Sequence, residues 1–128
     1  MARNGKGLPG LREAARQGFR GYPVATMAFY GPDDTRASKV AVGIVVREGG
    51  QAEELERWYS DEMDVRNDPE IGRAILHFID RNHVKSVVMT ERIIGCPHEE
   101  GTDYPEGKAC PMCPFWANRD RWTGEPIT

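Results

Sequence analysis

Two apolar stretches in the first half of the chain predict a β-hairpin. Residues 24–30 and 39–46 are rich in β-branched and aromatic side chains, and a Gly-Pro-Asp-Asp turn sequence follows the first stretch. In both stretches apolar residues follow one another and do not alternate strictly with polar ones. This pattern predicts a sheet that is covered on both faces, or on one face by helices and on the other by a partner.

The residues after the hairpin predict a first helix. In residues 51–60, Leu55, Trp58 and Tyr59 have the i, i+3, i+4 spacing that forms the apolar face of an amphipathic helix. The acidic residues 61–68 that follow have neither the glycine turn nor the ligand spacing of a calcium loop. We therefore expect this connector to be a solvated loop.

A second and clearer helix is predicted over residues 69–82. Asp68 can accept hydrogen bonds from the first helical amides, Pro69 suits the first helical position, and Asn82 is a suitable end. The apolar residues within it recur at helical spacing, namely Ile71, Ala74, Ile75, Phe78 and Ile79.

A third strand is predicted at residues 84–90, prolonged by Ile93 and Ile94 and pairing with the hairpin. The predicted fold class is α+β: a small sheet, made of the hairpin and the third strand, with two packed helices and a C-terminal zinc-knuckle segment. The domain organisation that follows is a flexible basic arm at residues 1–21, an α+β core at 22–94, and a metal-binding knuckle with an aromatic tail at 95–128.

Composition is that of an ordinary globular domain. The chain has 128 residues and no run of about twenty apolar residues that would span a bilayer. Its start lacks the apolar segment of a secretory signal, and its three cysteines are an odd number that suits metal ligation better than a disulfide framework. We expect a cytoplasmic protein that does not enter a membrane.

Charge divides the chain into a basic arm and an acidic body. Residues 1–21 carry five basic side chains and one acidic side chain, whereas the whole chain has a net charge of −3. Five glycines in this arm predict a solvated, flexible leader. An acidic body repels a nucleic-acid backbone, so nucleic acid is not an expected partner except through weak, salt-dependent contacts of the arm.

All three cysteines and one of the three histidines lie within 18 residues near the C-terminus, as Cys96, His98, Cys110 and Cys113. Three thiolates and one imidazole complete a tetrahedral Zn²⁺ site, and two ligand pairs on short turns can enclose one ion. The Cys110-Pro-Met-Cys113 half resembles the knuckle of a zinc ribbon. An iron–sulfur cluster uses similar ligands and remains an alternative.

The same segment suggests a catalytic alternative. The His98-Glu99-Glu100 sequence followed by Cys110 and Cys113 resembles the two metal-binding halves of zinc-dependent nucleobase deaminases. The resemblance implies a zinc hydrolase or deaminase-like enzyme with Glu99 or Glu100 as the general base. Cys96 as a fourth ligand closes the coordination sphere, which favours a structural site. The expected function is therefore a small zinc-binding protein with a structural Cys3His site, acting as a non-catalytic adaptor or regulator.

The residues after the knuckle are rich in aromatic and arginine side chains. Arg119, Arg121 and Trp122 belong to residue types that are frequent at the energetic centres of protein interfaces. An alternative is that the aromatic side chains shield the metal-bound sulfur atoms. For the recognition alternative we expect a protein partner, because the body of the chain is acidic.

Overall fold

A mixed four-stranded sheet forms the centre of the fold in a computed structural model, which describes residues 8–117. The α-helices and strands are α1 (Leu8–Arg16), β1 (Val24–Tyr30), β2 (Lys39–Val45), β3 (Ala52–Tyr59), α2 (Pro69–Arg81) and β4 (Ser86–Ile93). The strand order is β3-β2-β1-β4, and helices pack against the sheet, so the predicted α+β class is confirmed.

The predicted hairpin and third strand are both present. Strands β1 and β2 pair antiparallel, with Val24 opposite Val45 and Tyr30 opposite Lys39. Strand β4 pairs with β1 in parallel, so it runs in the same direction as the first strand of the hairpin. The connection through α2 carries the chain from β3 at one edge of the sheet to β4 at the other edge.

The helix predicted at residues 51–60 is wrong, because these residues form the edge strand β3. The strand pairs antiparallel with β2 from Tyr59, opposite Lys39, to Ala52. Trp58 contacts Phe78 of α2 edge to face, with ring centroids 5.8 Å apart. Leu55 lies on the opposite face and is exposed. Backbone pairing with β2 therefore overrides a helical spacing that only three large side chains supported.

Helix α2 begins and ends where the sequence predicts. The Asp68 side chain accepts hydrogen bonds from the backbone amides of Glu70 and Ile71, and Pro69 occupies the first turn. Asn82 is the C-cap, and His83 after it has a φ of 56°, the left-handed conformation common after a helix end.

The predicted flexible arm is wrong for the helix Leu8–Arg16. Leu11 is fully buried in the core, and α1 contacts both β4 and α2. The Ser86 hydroxyl accepts a hydrogen bond from the Arg20 amide and donates one to the Gly21 carbonyl, which holds the end of this segment on β4. Burial of one leucine and these hydrogen bonds outweigh the flexibility that the glycines suggest.

The hydrophobic core lies between one face of the sheet and the two helices. Alternate residues of the strands point into it, whereas the residues between them form a second face, here called the open face. Neither described helix covers the open face, on which Leu55 and Val88 are exposed. The core residues of β1 and β2 are Ala25, Met27, Phe29, Val40, Val42 and Ile44.

The connector between β3 and α2 is not the solvated loop that its acidic composition predicts. Val65 is buried in the core, and its amide donates to the Ala37 carbonyl. The Asp64 carboxylate accepts hydrogen bonds from the Ala37 amide and from the backbone and side chain of Arg66. The connector is therefore bound to the loop between β1 and β2.

Strand directions bring three connections together at one end of the sheet. The carboxyl ends of β1 and β4 lie at this end because the two strands are parallel, and β3 ends there because both it and β1 are antiparallel to β2. The segment with all the cysteines follows β4 directly. Among residues 8–117, no helix combines the length and apolar character needed to cross a membrane.

Candidate metal centre

Residues 95–117, here called the ligand segment, begin at a fixed position on the sheet. The Ile94 amide donates to the Phe29 carbonyl over 2.9 Å, and the Gly31 amide donates to the Gly95 carbonyl over 2.9 Å. Both bonds join the end of β4 to the end of β1. The backbone immediately before Cys96 is therefore held by the sheet.

Four side chains of the ligand segment converge on one point. The Nδ1 atom of His98 lies 3.3 Å from the Sγ atom of Cys96 and 3.5 Å from those of Cys110 and Cys113. All four ligand atoms lie within 4.8 Å of one another, and the three cysteines form no disulfide. The four residues predicted as metal ligands are thus close enough to hold one metal ion; we call them the Cys3His cluster.

The first ligand pair is set by a tight local turn. The backbone amide of His98 donates to the Cys96 sulfur over 3.2 Å, which brings both side chains to the same side of the turn. Amide hydrogen bonds of this kind stabilise the thiolate form of a cysteine. One intervening residue, Pro97, is therefore enough spacing for a ligand pair in this fold.

The second ligand pair is set by a turn that is anchored to the sheet. The Cys113 amide donates to the Cys110 carbonyl, and a short 3-10 helix, Pro114–Trp116, follows. The indole Nε1 of Trp116 donates to the Gly31 carbonyl over 2.8 Å. Cys110 and Cys113 are both buried, and this hydrogen bond ties the turn that carries them to the residue after β1.

The loop between the two pairs closes on itself through its acidic residues. The Asp103 carboxylate accepts from the Glu99 amide over 2.8 Å, and the Glu100 carboxylate accepts from the Gly107 amide over 2.6 Å. Gly107 has a φ of 85°, in the left-handed region that favours glycine. Glu100 therefore stabilises a turn of the loop.

Lys39 at the start of β2 contacts the ligand segment, a role that its position in the sequence does not predict. Its Nζ atom lies 3.0 Å from the Pro97 carbonyl oxygen and 3.0 Å from the Glu99 carboxylate. Arg57 of β3 is the second cation on Glu99, with Nε 2.6 Å from the same oxygen. The hydrogen bond and charge of Lys39, with those of Arg57, hold the pKa of Glu99 below its usual range.

Burial has the opposite effect on two of the cysteine thiols, because it raises their pKa. Removal from water raises the pKa of Cys96 and that of Cys113, and the neighbouring cysteines raise that of Cys96 further. Three thiolates crowded together without a cation repel one another, whereas a bound cation favours the thiolate form of each. The arrangement therefore suits a cation at its centre.

Two clefts flank the Cys3His cluster. One, of about 410 Å³, lies between the ligand segment and the connections at the end of the sheet, and Arg36 and Cys113 are among its lining residues. The other, of about 310 Å³, lies above the open face beside Cys96 and Arg57. His98 lines both clefts.

The other candidate residues are not part of the cluster. His77 and His83 are exposed on α2 and at its end. Arg119, Arg121 and Trp122, predicted to bind a partner, lie outside the described residues.

Comparisons of the chain with protein-family models, with curated proteins and with solved structures found no match.

Proposed function

We propose that the chain is a zinc-binding protein whose Cys3His cluster is a closed structural site. The separations between His98 Nδ1 and the three sulfur atoms, 3.3–3.5 Å, carry the proposal. In a regular tetrahedron with Zn–S of about 2.3 Å and Zn–N of about 2.05 Å, sulfur and nitrogen lie about 3.5 Å apart. The agreement between these nitrogen–sulfur separations and the tetrahedral value supports the proposal.

The same spacing supports zinc over an iron–sulfur cluster. A cluster attaches its protein ligands to different iron atoms, with sulfide ions between them, so the ligand atoms are spread more widely than around one ion. Here all four ligand atoms lie within 4.8 Å of one another. Thiolates together with imidazole are also a ligand set that zinc prefers in small structural sites.

The contacts of the two glutamates support a non-catalytic role over the alternative of a zinc hydrolase or deaminase-like enzyme. A general base must be able to reach a metal-bound water, and a catalytic zinc keeps one coordination position open. Cys96 supplies a fourth protein ligand, Glu99 forms ion pairs with Lys39 and Arg57, and Glu100 stabilises a turn.

Bound zinc would link the two ligand pairs, each of which is attached to the sheet independently of the other. The first ligand pair follows β4, and the second pair is anchored through Trp116 to Gly31. Linking the two pairs closes the loop of residues 99–109 and fixes the ligand segment at the end of the sheet. The zinc therefore acts as a local clamp on a domain that has its own core.

Metal analysis of the purified, untagged protein tests the site. We expect about one zinc per chain, together with a cobalt derivative whose visible spectrum is typical of tetrahedral thiolate coordination. The variant His98→Ala should lower the zinc content, whereas His77→Ala, a change at an exposed position on α2, should not. Less than about half an equivalent of metal with intact thiols would overturn the proposal, and visible absorption with bound iron and sulfide would indicate a cluster.

For the biological role we propose a cytoplasmic adaptor or regulator that binds a protein partner through Arg119, Arg121 and Trp122. Reduced cysteines are required for zinc binding, which fits a reducing compartment. The variant Trp122→Ala should keep its zinc and thermal stability and no longer retain the protein that the wild type captures from a native lysate. Unchanged binding by this variant would refute the assignment of the tail.

A further inference from the structure

Lys39 is a buried cation whose surroundings come from two parts of the molecule. It is 4% exposed, at the first position of β2. Its Nζ atom lies 5.2 Å from the centre of the Tyr30 ring and 5.7 Å from that of the Tyr59 ring, both on neighbouring strands. Its remaining contacts, with Pro97 and Glu99, are in the ligand segment.

These contacts lie on both sides of a metal ligand. Pro97 immediately precedes His98 and Glu99 immediately follows it, so the Lys39 ammonium bonds to the two residues that flank the imidazole. An ammonium has three donors, of which one reaches the Pro97 carbonyl and another the Glu99 carboxylate. This arrangement holds the backbone carbonyl before the ligand and the side chain after it, and so constrains the direction in which the ring points.

We propose that Lys39 is a positioning residue of the metal centre, and that its burial and metal binding are one linked equilibrium. The inference rests on the proposed zinc site. A buried ammonium is unfavourable unless it is paired and hydrogen-bonded. The sheet supplies aromatic rings and Arg57 shares Glu99, but the carboxylate and the carbonyl that pair with Lys39 both belong to the ligand segment.

The linkage has a direct consequence for the molecule without metal. If the ligand segment moves away from the sheet when the metal is removed, Lys39 loses both hydrogen-bond partners and becomes accessible to water. By reciprocity, if metal binding favours the buried position of the Lys39 ammonium by a given factor, that buried position favours metal binding by the same factor. The charge of the site also favours the buried position of the Lys39 ammonium, because zinc with three thiolates carries one net negative charge close to this cation.

Amine acetylation followed by peptide mass spectrometry tests the linkage in the wild-type chain. We expect the rate of Lys39 modification to rise at least about fivefold when zinc is removed by a chelator. Lys85 in the turn before β4 and Lys108 in the ligand segment are exposed and serve as controls whose rates should change little. Equal modification of Lys39 in the zinc-bound and zinc-free proteins would overturn the linkage.

Zinc affinity, measured by competition with a chromophoric chelator, tests the positioning role. We expect Lys39→Met to weaken zinc binding about 10–100-fold, with Lys39→Arg retaining more of the affinity because it keeps the charge and the donors. The visible spectrum of the cobalt derivative should shift in Lys39→Met, and Lys85→Met should match the wild type in both measurements. Wild-type affinity and an unchanged cobalt spectrum in Lys39→Met would refute the role.

The two proposals fail in different ways. If the wild-type protein binds no stoichiometric metal, the zinc site itself is wrong. If the wild type binds zinc while Lys39 stays equally reactive and replaceable, only the inference about Lys39 is wrong. Should Lys39→Met fail to fold, the labelling of the wild type still decides the question, because it requires no substitution.

Discussion

Replacing Asp64 by asparagine should remove a large part of the stability of the fold at neutral pH. The Asp64 side chain is 12% exposed. Its carboxylate accepts from the Ala37 amide over 3.0 Å, from the Arg66 amide over 2.9 Å and from the Arg66 guanidinium over 2.6–2.8 Å. Asparagine has one acceptor oxygen and no charge, so the variant Asp64→Asn weakens the junction between the connector and the β1–β2 loop.

The pKa of Asp64 gives the magnitude and the sign of the effect. Burial raises this pKa, but hydrogen bonds from the Arg66 side chain, the Ala37 amide and the Arg66 amide outweigh it and lower the pKa from 3.8 to about 2. That difference corresponds to about 2 kcal/mol of folding free energy. Because the folded-state pKa is the lower one, the contribution is complete above about pH 4 and is lost as the pH falls through about 2.

Urea unfolding of wild type and Asp64→Asn over a range of pH measures this contribution. We expect the wild type to be more stable by about 2 kcal/mol at pH 7, and the difference to narrow below about pH 4. Acid also releases metal from cysteine ligands, but it does so in both proteins, so their difference isolates Asp64.

Asp61→Asn, a change at an exposed position of the same connector, is the matched control and should alter stability by less than about 0.5 kcal/mol. The reasoning is refuted if Asp64→Asn is as stable as the control variant at pH 7. A difference that widens on acidification would refute it as well.

Three further predictions concern removal of the metal, a glycine that lies close to a backbone carbonyl, and the residue after the C-cap of α2. Removing zinc should increase amide exchange in residues 95–117 while the sheet and α2 stay protected by their own core, and global unfolding would contradict this. Gly31→Ala should cost about 1–3 kcal/mol in urea unfolding, because a Cβ there would lie 2.0 Å from the Arg36 carbonyl oxygen; an unchanged midpoint would argue against it. His83→Gly should raise the unfolding free energy by about 0.5–1 kcal/mol, since glycine adopts the φ of 56° without strain, and a loss of stability would contradict that reasoning.

Local chemistry determined the parts of the fold that the sequence predicts well. The ends of α2 follow from Asp68, Pro69 and Asn82, whose side chains or rings act on backbone atoms only a few residues away. The hairpin follows from two apolar stretches and a turn sequence, and the grouping of Cys96 and His98 with the later cysteines follows from their spacing. In each case the interacting groups are near one another along the chain.

Contacts between residues far apart along the chain decided the structure of the two segments that the sequence predicts wrongly. Leu55, Trp58 and Tyr59 have helical spacing, yet residues 52–59 are a strand because the exposed edge of β2 offers a full row of backbone partners. Leu11 is buried because α1 packs against both β4 and α2, which lie far from it along the chain. The residue pattern of each segment alone therefore identifies neither the strand that pairs with residues 52–59 nor the elements that bury Leu11.

The metal centre combines features that the local sequence determines with features that only the tertiary structure determines. The ligand types and their two short turns are properties of the sequence, but the closure of the cluster depends on strand direction. The parallel pairing of β1 with β4 brings Gly31 beside Gly95 and allows Trp116 to anchor the second ligand pair. Lys39, a charged residue at the start of an apolar strand, is buried between two tyrosine rings of the sheet and the ligand segment, which supplies a carboxylate and a carbonyl. Burial of a charge depends on partners that only the tertiary structure brings within reach.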